Sequence, residues 1–217
     1  MGLLDLFDKK KEKSVKRPTT KKSTAANTYR NIDKIIRDSD KAIAEMQRAD
    51  VVFEKDGNLQ KRIKVYEKHL LKEPQWNSFN FNMSLAQMYV KAGRNNDAWT
   101  YLNQMYLWAT NPNVIGGDAS KVRLEQFRIL KSEKKYEDAL VMLVSSYVIK
   151  AYELKETYFN KGKFKKDAKT TLKAIGFDES ESEVFIDDLE HIIMTKRIRE
   201  ATVRKYCTEH IERIGRN

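Results

Sequence analysis

Apolar residues recur every three or four positions along most of this chain, in blocks separated by short polar turns. That spacing predicts amphipathic helices, because side chains three and four residues apart lie on the same helix face. The first block begins near Asn27, ends at the Asp-Gly-Asn turn of residues 56–58, and carries Tyr29, Ile32, Ile35, Ile36, Ile43, Met46 and Phe53. The pattern leaves open whether its helix runs unbroken to Phe53 or stops near Asp40.

Three stretches of the middle of the chain share one arrangement: an apolar helix, a short polar turn, and a second helix that opens on a small or branched residue. The opening residues are Ile63, Ala98 and Ala139, and a fourth segment is anchored on Ala168. The clearest copy is formed by Leu85, Ala86, Tyr89, Gly93, Ala98, Leu102 and Met105. The small residues predict helices that pack closely in pairs.

This arrangement resembles the tetratricopeptide repeat, in which helix pairs stack because one pair alone cannot bury its apolar face. The anchors are spaced by 35, 41 and 29 residues, against a family period of about 34. The Pro- and Gly-containing loop at residues 110–118 accounts for the longest spacing. The resemblance covers residues 45–175 and implies an all-α fold, with antiparallel helical hairpins stacked as a short right-handed solenoid.

The expected organisation has three parts. Residues 1–26 form a disordered basic arm, because Lys9–Lys22 holds eight Lys or Arg against one Glu and has almost no apolar side chain to offset its ordering entropy. Residues 27–176 form the repeat domain. Residues 177–217 form a capping segment, in which one long helix follows a capping box at Ser180 and Glu183.

Composition supports helices and an intracellular location. Only 8 Gly and 3 Pro occur in 217 residues, and the stretch from Val141 to Tyr152 is predicted as helix because it is long and follows a repeat turn. The lone Cys207 excludes an intramolecular disulfide, and no apolar run approaches the roughly 18 residues that span a bilayer. We therefore expect a cytoplasmic protein, with peripheral attachment at the inner membrane face left open.

The sequence offers little catalytic chemistry. His69, His191 and His210 stand beside no nucleophile elbow, phosphate-binding loop or second cysteine. Cys207 and His210, three residues apart, could supply half of a metal site, but no second ligand pair accompanies them. We expect a protein without catalytic residues, metal or cofactor, in which the thiol is buried and the imidazole lies at the surface.

The family resemblance implies where a partner would bind. In tetratricopeptide repeats, ligands usually lie against the concave face formed by the first helix of each pair. Carried onto the two best copies, that face would present Asn80, Met83, Gln87, Lys91, Lys121, Leu124, Arg128 and Lys131. Such a positive groove suits an acidic or carboxylate-bearing peptide. The expected function is therefore that of a non-enzymatic scaffold or adaptor for a protein or peptide, and homo-oligomerisation is possible but not required.

An alternative function rests on the basic arm. The arm could bind nucleic acid, or it could bind an anionic membrane through an apolar turn followed by a polybasic run. Its candidate contact residues are Leu4, Phe7, Lys9, Lys10, Lys11, Lys13, Lys16 and Arg17. Pairs such as Lys196 and Arg197 would add phosphate contacts, although no nucleic-acid recognition motif accompanies them.

Overall fold

The computed structural model describes residues 25–71, 79–113, 117–153 and 161–214. It divides into two compact units, residues 1–42 and 43–217. All the regular structure in the described ranges is α-helix, which confirms the all-α prediction. The helices are α1 (Ala25–Asp56), α2 (Leu59–Leu70), α3 (Phe79–Lys91), α4 (Asn95–Ala109), α5 (Ala119–Ser132), α6 (Tyr136–Glu153), α7 (Lys161–Ile175), α8 (Glu179–Met194) and α9 (Glu200–Ile214).

Helix α1 runs without a break through Asp40, which settles the question that its sequence leaves open. It ends at Asp56, and the next residue, Gly57, adopts a left-handed φ of 64°. Asn58 then begins α2, because its side chain accepts a hydrogen bond from the backbone N–H of Lys61 at 3.0 Å. The predicted turn at residues 56–58 is therefore confirmed.

The pairs α3–α4 and α5–α6 are joined by the same three-residue turn. In the first, Gly93 has a φ of 72° and Arg94 N donates to Tyr89 O at 2.8 Å. In the second, Lys134 has a φ of 61° and Lys135 N donates to Leu130 O at 2.9 Å. Both are Schellman motifs, in which a left-handed residue lets the chain satisfy the last carbonyls of the helix.

Each of these turns leads to a fully buried alanine. The N–H of Ala98 donates to Arg94 O at 3.0 Å, and the N–H of Ala139 donates to Lys135 O at 2.9 Å. Both alanines are 0% exposed. Their equivalent positions explain why a small residue recurs after each turn, since a larger side chain there would meet the facing helix.

The connection between the two pairs depends on a second kind of glycine. A Cβ atom on Gly117 would lie 2.7 Å from the Cα atom of Ala109, so the chain can pass the end of α4 only without a side chain at this position. Asp118 then caps α5 by accepting a hydrogen bond from Lys121 N at 2.9 Å.

Consecutive helices from α2 to α8 pack against one another, and α9 packs on α6. Two hydrophobic clusters result: one lies mainly on α2–α4 and the other mainly on α6–α9. Helix α5 belongs to both, because Ile129 lies in the first cluster and Phe127 and Leu130 lie in the second. Helix α6 packs against α5, α7, α8 and α9 and is the most enclosed element of the second cluster.

The prediction of one long C-terminal helix is wrong, because the chain turns between α8 and α9. Lys196 adopts a φ of 54°, and Arg197 N donates to Ile192 O at 3.0 Å, which forms another Schellman motif. The predicted capping box is also displaced: Asp178 and Glu181 form it, rather than Ser180 and Glu183. No Gly or Pro lies in this turn, so a prediction from apolar periodicity alone extends one helix through it.

Candidate partner-binding surface

Helices α3 and α5, the first helices of the two pairs, lie side by side. Gln87 Nε2 donates a hydrogen bond to Glu125 Oε1 at 2.7 Å, across 38 residues of sequence. Most of the predicted groove residues lie on exposed or half-buried parts of these two helices. Asn80, Gln87, Lys91, Lys121 and Arg128 are exposed, while Leu124 and Lys131 are half-buried.

Met83 is the member of the predicted groove that lies in the core. It is 8% exposed and belongs to the cluster of α2–α4. Helix α3 packs against α2, α4 and α5, so only a narrow stripe of its surface remains accessible. Position 83 falls outside that stripe, which runs through Asn80, Gln87 and Lys91.

Glu125 changes the charge of this surface. It is 8% exposed, accepts the hydrogen bond from Gln87, and forms an ion pair with Arg128. Lys121 also has a carboxylate partner, because its Nζ lies 3.4 Å from Asp118. The uniformly positive groove expected from sequence is therefore a mixed surface, in which Lys121 and Arg128 are paired with carboxylates.

Lys91 and Lys131 supply the less compensated positive charge. Neither forms an ion pair with any residue in the described ranges. Lys131 Nζ lies 5.4 Å from the centroid of the Phe127 ring, which is a cation–π contact. These two ammonium groups are the cations of the predicted groove that no described carboxylate compensates.

Sequence reasoning missed Glu125, although a signal was present. Glu125 lies four residues after Lys121 and three residues before Arg128. This spacing places all three side chains on one helix face. Selecting only the basic residues of that face gives the wrong charge.

A recurring polar unit joins the helices around this surface. In each case a tyrosine hydroxyl donates to a carboxylate, the carboxylate pairs with an arginine, and the guanidinium group lies over the tyrosine ring. The distances from guanidinium carbon to ring centroid are 5.6, 4.5 and 3.6 Å in chain order. The three units are Tyr66–Asp50–Arg62, Tyr89–Glu67–Arg94 and Tyr106–Glu200–Arg123.

These tyrosines are structural donors. Burial, reinforced by the hydrogen bond to the neighbouring carboxylate, raises the pKa of Tyr66 and of Tyr106 to about 12, and it also raises the pKa of Tyr89. All three phenols therefore stay protonated near neutral pH. The units fix helix positions, and none supplies a base or nucleophile.

The third unit extends into a partly buried hydrogen-bond network. Arg123 Nε and Nη2 both lie 2.8 Å from Glu200 Oε1, and Arg123 Nη1 donates to Gln126 Oε1 at 2.9 Å. Gln126 Nε2 in turn donates to Asn103 Oδ1 at 2.7 Å. The buried Gln126 amide is thus satisfied, and α9 is tied to α4 and α5.

The remaining candidate chemistry is structural. Cys207 is buried, and burial raises its pKa to about 12, so the thiol is a poor nucleophile and metal ligand. The half-buried His210 ring lies 4.2 Å from the Tyr206 ring. Over the four described ranges, no group of three or more His, Cys, Asp or Glu residues could hold a metal ion.

The alternative function of the basic arm is not tested by the described residues. The candidate arm residues between Leu4 and Arg17 all lie outside the described residues. Among the helices that the structure describes, none has the length and apolar character needed to cross a bilayer.

Comparisons with protein-family models, curated proteins and solved structures find no match to this chain.

Proposed function

We propose that this protein is a non-enzymatic interaction scaffold, whose hairpins stack as a short tetratricopeptide-like right-handed solenoid and bind a protein or peptide partner. The observation that carries the proposal is the repeated contact between successive pairs. Gln87 to Glu125 and Asn95 to Glu133 are hydrogen bonds at 2.7 and 3.0 Å, and each joins residues 38 positions apart. Two such contacts at one offset are typical of stacked repeats.

The partner-binding surface is the exposed stripe of α3 and α5. Lys91 and Lys131 offer charge-assisted hydrogen bonds to carboxylates. Between the basic residues, Asn80 and Gln87 offer amide groups that can bond a peptide backbone, and Glu125 already has two donors. This pattern favours an extended segment with separated acidic residues over a densely acidic one.

A peptide-display selection tests this surface. Immobilised full-length protein would be panned against random peptides, and the affinity of the selected sequences would be measured by fluorescence anisotropy. We expect acidic peptides whose affinity falls about tenfold or more in the Lys91→Glu/Lys131→Glu variant, because attraction becomes repulsion.

The matched control is Lys64→Glu/Lys173→Glu, which reverses two exposed lysines on α2 and α7. It makes the same change in net charge away from the stripe, so its affinity should stay within about twofold. Equal loss in both variants, or selection of peptides without carboxylates, would count against the α3–α5 surface.

The arm supports a second candidate function, an accessory protein held on a polyanion. Two features of the sequence support this second function: the net charge between Lys9 and Lys22 is +7, and the apolar residues Leu4 and Phe7 precede that basic run. If the arm anchors the protein to anionic membranes, full-length protein should sediment with anionic vesicles and lose most of that binding in Leu4→Ser/Phe7→Ser. Affinity for duplex DNA should not change. Equal loss on both ligands would exclude the anchor.

A further inference from the structure

The turn between α8 and α9 concentrates exposed positive charge. Lys196, Arg197 and Arg199, which we call the basic turn, are all exposed. None of the three forms an ion pair with a residue in the described part of the chain. Charges without carboxylate partners remain available to an anion from solution.

An exposed aromatic ring is fixed beside these charges. The Tyr152 side chain is 45% exposed, and its hydroxyl donates to Lys196 O at 2.7 Å. Lys196 Nζ lies 6.0 Å from the centroid of the Tyr152 ring. The hydrogen bond holds the ring at the edge of the basic turn, so the ring and the cations form one surface.

Two carboxylates that flank the basic turn in sequence, Glu190 and Glu200, are already engaged. Glu200 binds Arg123 and Tyr106, and Glu190 pairs with Lys161 at 2.5 Å and with Lys165 at 3.2 Å. The positive charge of the basic turn is therefore less neutralised by carboxylates than the acidic sequence of α8 suggests. Basic residues after a helix also complement its dipole, but that effect fades within one turn and does not require an exposed ring.

We propose that the basic turn and Tyr152 form a docking surface for single-stranded nucleic acid. The Tyr152 ring stacks on an unpaired base, and the basic turn binds the flanking phosphates. A duplex would present no free base face to this ring. The site is separate from the peptide surface of α3 and α5.

The same turn argues against a membrane as its ligand. Ile198 is the one aliphatic residue between Thr195 and Arg199, and it is 4% exposed because it packs into the core. The turn therefore offers no apolar group for insertion among lipid chains. The combination of cations with a flat polar-edged ring suits a nucleobase better.

Fluorescence anisotropy with a labelled 12-nucleotide oligouridylate tests the site in the full-length chain. The variant Lys196→Gln/Arg197→Gln/Arg199→Gln should bind about tenfold or more weakly, and its slope of log affinity against log salt should fall by about 2, since each lost contact accounts for about 0.7. The matched control Lys64→Gln/Lys166→Gln/Lys173→Gln removes three exposed lysines elsewhere and should leave the slope nearly unchanged.

Two substitutions separate stacking from charge. Tyr152→Leu should weaken binding by about fivefold or more with no change in salt slope, whereas Tyr152→Phe keeps the ring and should bind within about twofold of the parent chain. Circular dichroism melts would verify that each variant is folded.

The proposal is overturned by wild-type affinity in folded Tyr152→Leu, by equal loss in the matched control, or by a loss of affinity for a 12-base-pair duplex in Tyr152→Leu as large as its loss for the oligonucleotide. A basic-turn variant that loses binding to anionic vesicles while keeping its affinity for the oligonucleotide would likewise overturn it.

Discussion

The pairs α3–α4 and α5–α6 begin alike and end in different surroundings. Each has the same Schellman turn and the same fully buried alanine. Yet α4 leaves Asn103, Gln104 and Leu107 exposed, with Leu107 at 72%, while the corresponding helix α6 is enclosed by α5, α7, α8 and α9. The turn is therefore determined locally and can recur in each pair, whereas the burial of the second helix depends on helices that come later in the chain.

Composition of the two helices reflects that difference. Between Ala139 and Ile149, α6 has no charged residue and buries nearly every side chain. Helix α4 mixes apolar and polar residues along its length, with Asn103 and Gln104 facing solvent. A helix that is apolar on all sides must be buried on all sides, so the array of pairs gives way at α6 to helices packed around it.

The largest predicted difference between the pairs concerns their buried alanines. Ala139→Leu and Ala98→Leu should each destabilise the fold by about 1–3 kcal/mol, because added methylenes have no space. We expect the Ala139 variant near the upper end, since α6 is held from several sides and cannot shift, and the Ala98 variant near the lower end. Thermal and urea unfolding followed by circular dichroism measure both.

The control for this pair is Ala174→Leu, at an exposed position of α7, which should leave the unfolding midpoint almost unchanged. An unchanged midpoint in Ala98→Leu would mean that this alanine is not packed between helices. Equal losses at Ala98 and Ala139 would remove the distinction between an open and an enclosed second helix.

Local features of both pairs were predictable from sequence. The Gly93 turn and the small residues at Ala98 and Ala139 follow from spacing and from the conformational freedom of glycine. The turns at Lys134 and Lys196 carry no such mark, because lysine enters the left-handed region only when tertiary packing compensates the strain. The turn at Lys134 was predicted from the repeat pattern, whereas the turn at Lys196 was not predicted.

Long-range polar contacts were beyond sequence reasoning. Tyr106 and Glu200 are 94 residues apart, and Arg123 reaches Glu200 across 77 residues. No periodicity within one helix connects such positions, since they meet only when α9 packs back on α6. The same limit applies to Glu125 and Gln87, whose hydrogen bond becomes visible only when α3 and α5 lie side by side.

A second prediction exchanges the left-handed turn residues of the two pairs, Gly93 and Lys134. Lys134→Gly should stabilise the fold by about 0.5–1 kcal/mol, because relief of left-handed strain, about 1–2 kcal/mol, exceeds the entropy that glycine adds to the unfolded chain, about 0.5–1 kcal/mol. The reverse change, Gly93→Lys, should destabilise by a similar amount. A Cβ atom at Gly93 meets no atom within 4 Å, so the cost is conformational and not steric.

Urea unfolding measures both exchanges, with Lys173→Gly as the control. Lys173 lies in the last turn of α7, where glycine should cost up to about 1 kcal/mol. Destabilisation in Lys134→Gly comparable to that of the control would show that the left-handed turn of the second pair is not strained.

A further effect, of similar size to that of Lys134→Gly, is predicted where the two turns meet. Asn95 Nδ2 donates to Glu133 Oε1 at 3.0 Å, and a double-mutant cycle of Asn95→Ala and Glu133→Ala should give a coupling free energy of about 0.5–1 kcal/mol at neutral pH. Coupling near zero would mean that this contact does not link the pairs. Lys135→Ala, measured in parallel, separates the contribution of the other donor to the same carboxylate.

The coupling should also depend on pH. A hydrogen bond from Lys135, opposed by partial burial and aided by Asn95, holds the pKa of Glu133 below its ordinary value of 4.5. A carboxylate whose pKa is lower in the folded state contributes stability that is fully present above its unfolded pKa and is lost as the pH falls through its folded pKa. Cycles at pH 7 and at about pH 3 should therefore show weaker coupling in acid. A coupling that is unchanged in acid would show that Asn95 does not depend on the charged form of Glu133, and the link between the two turns would then be a neutral hydrogen bond.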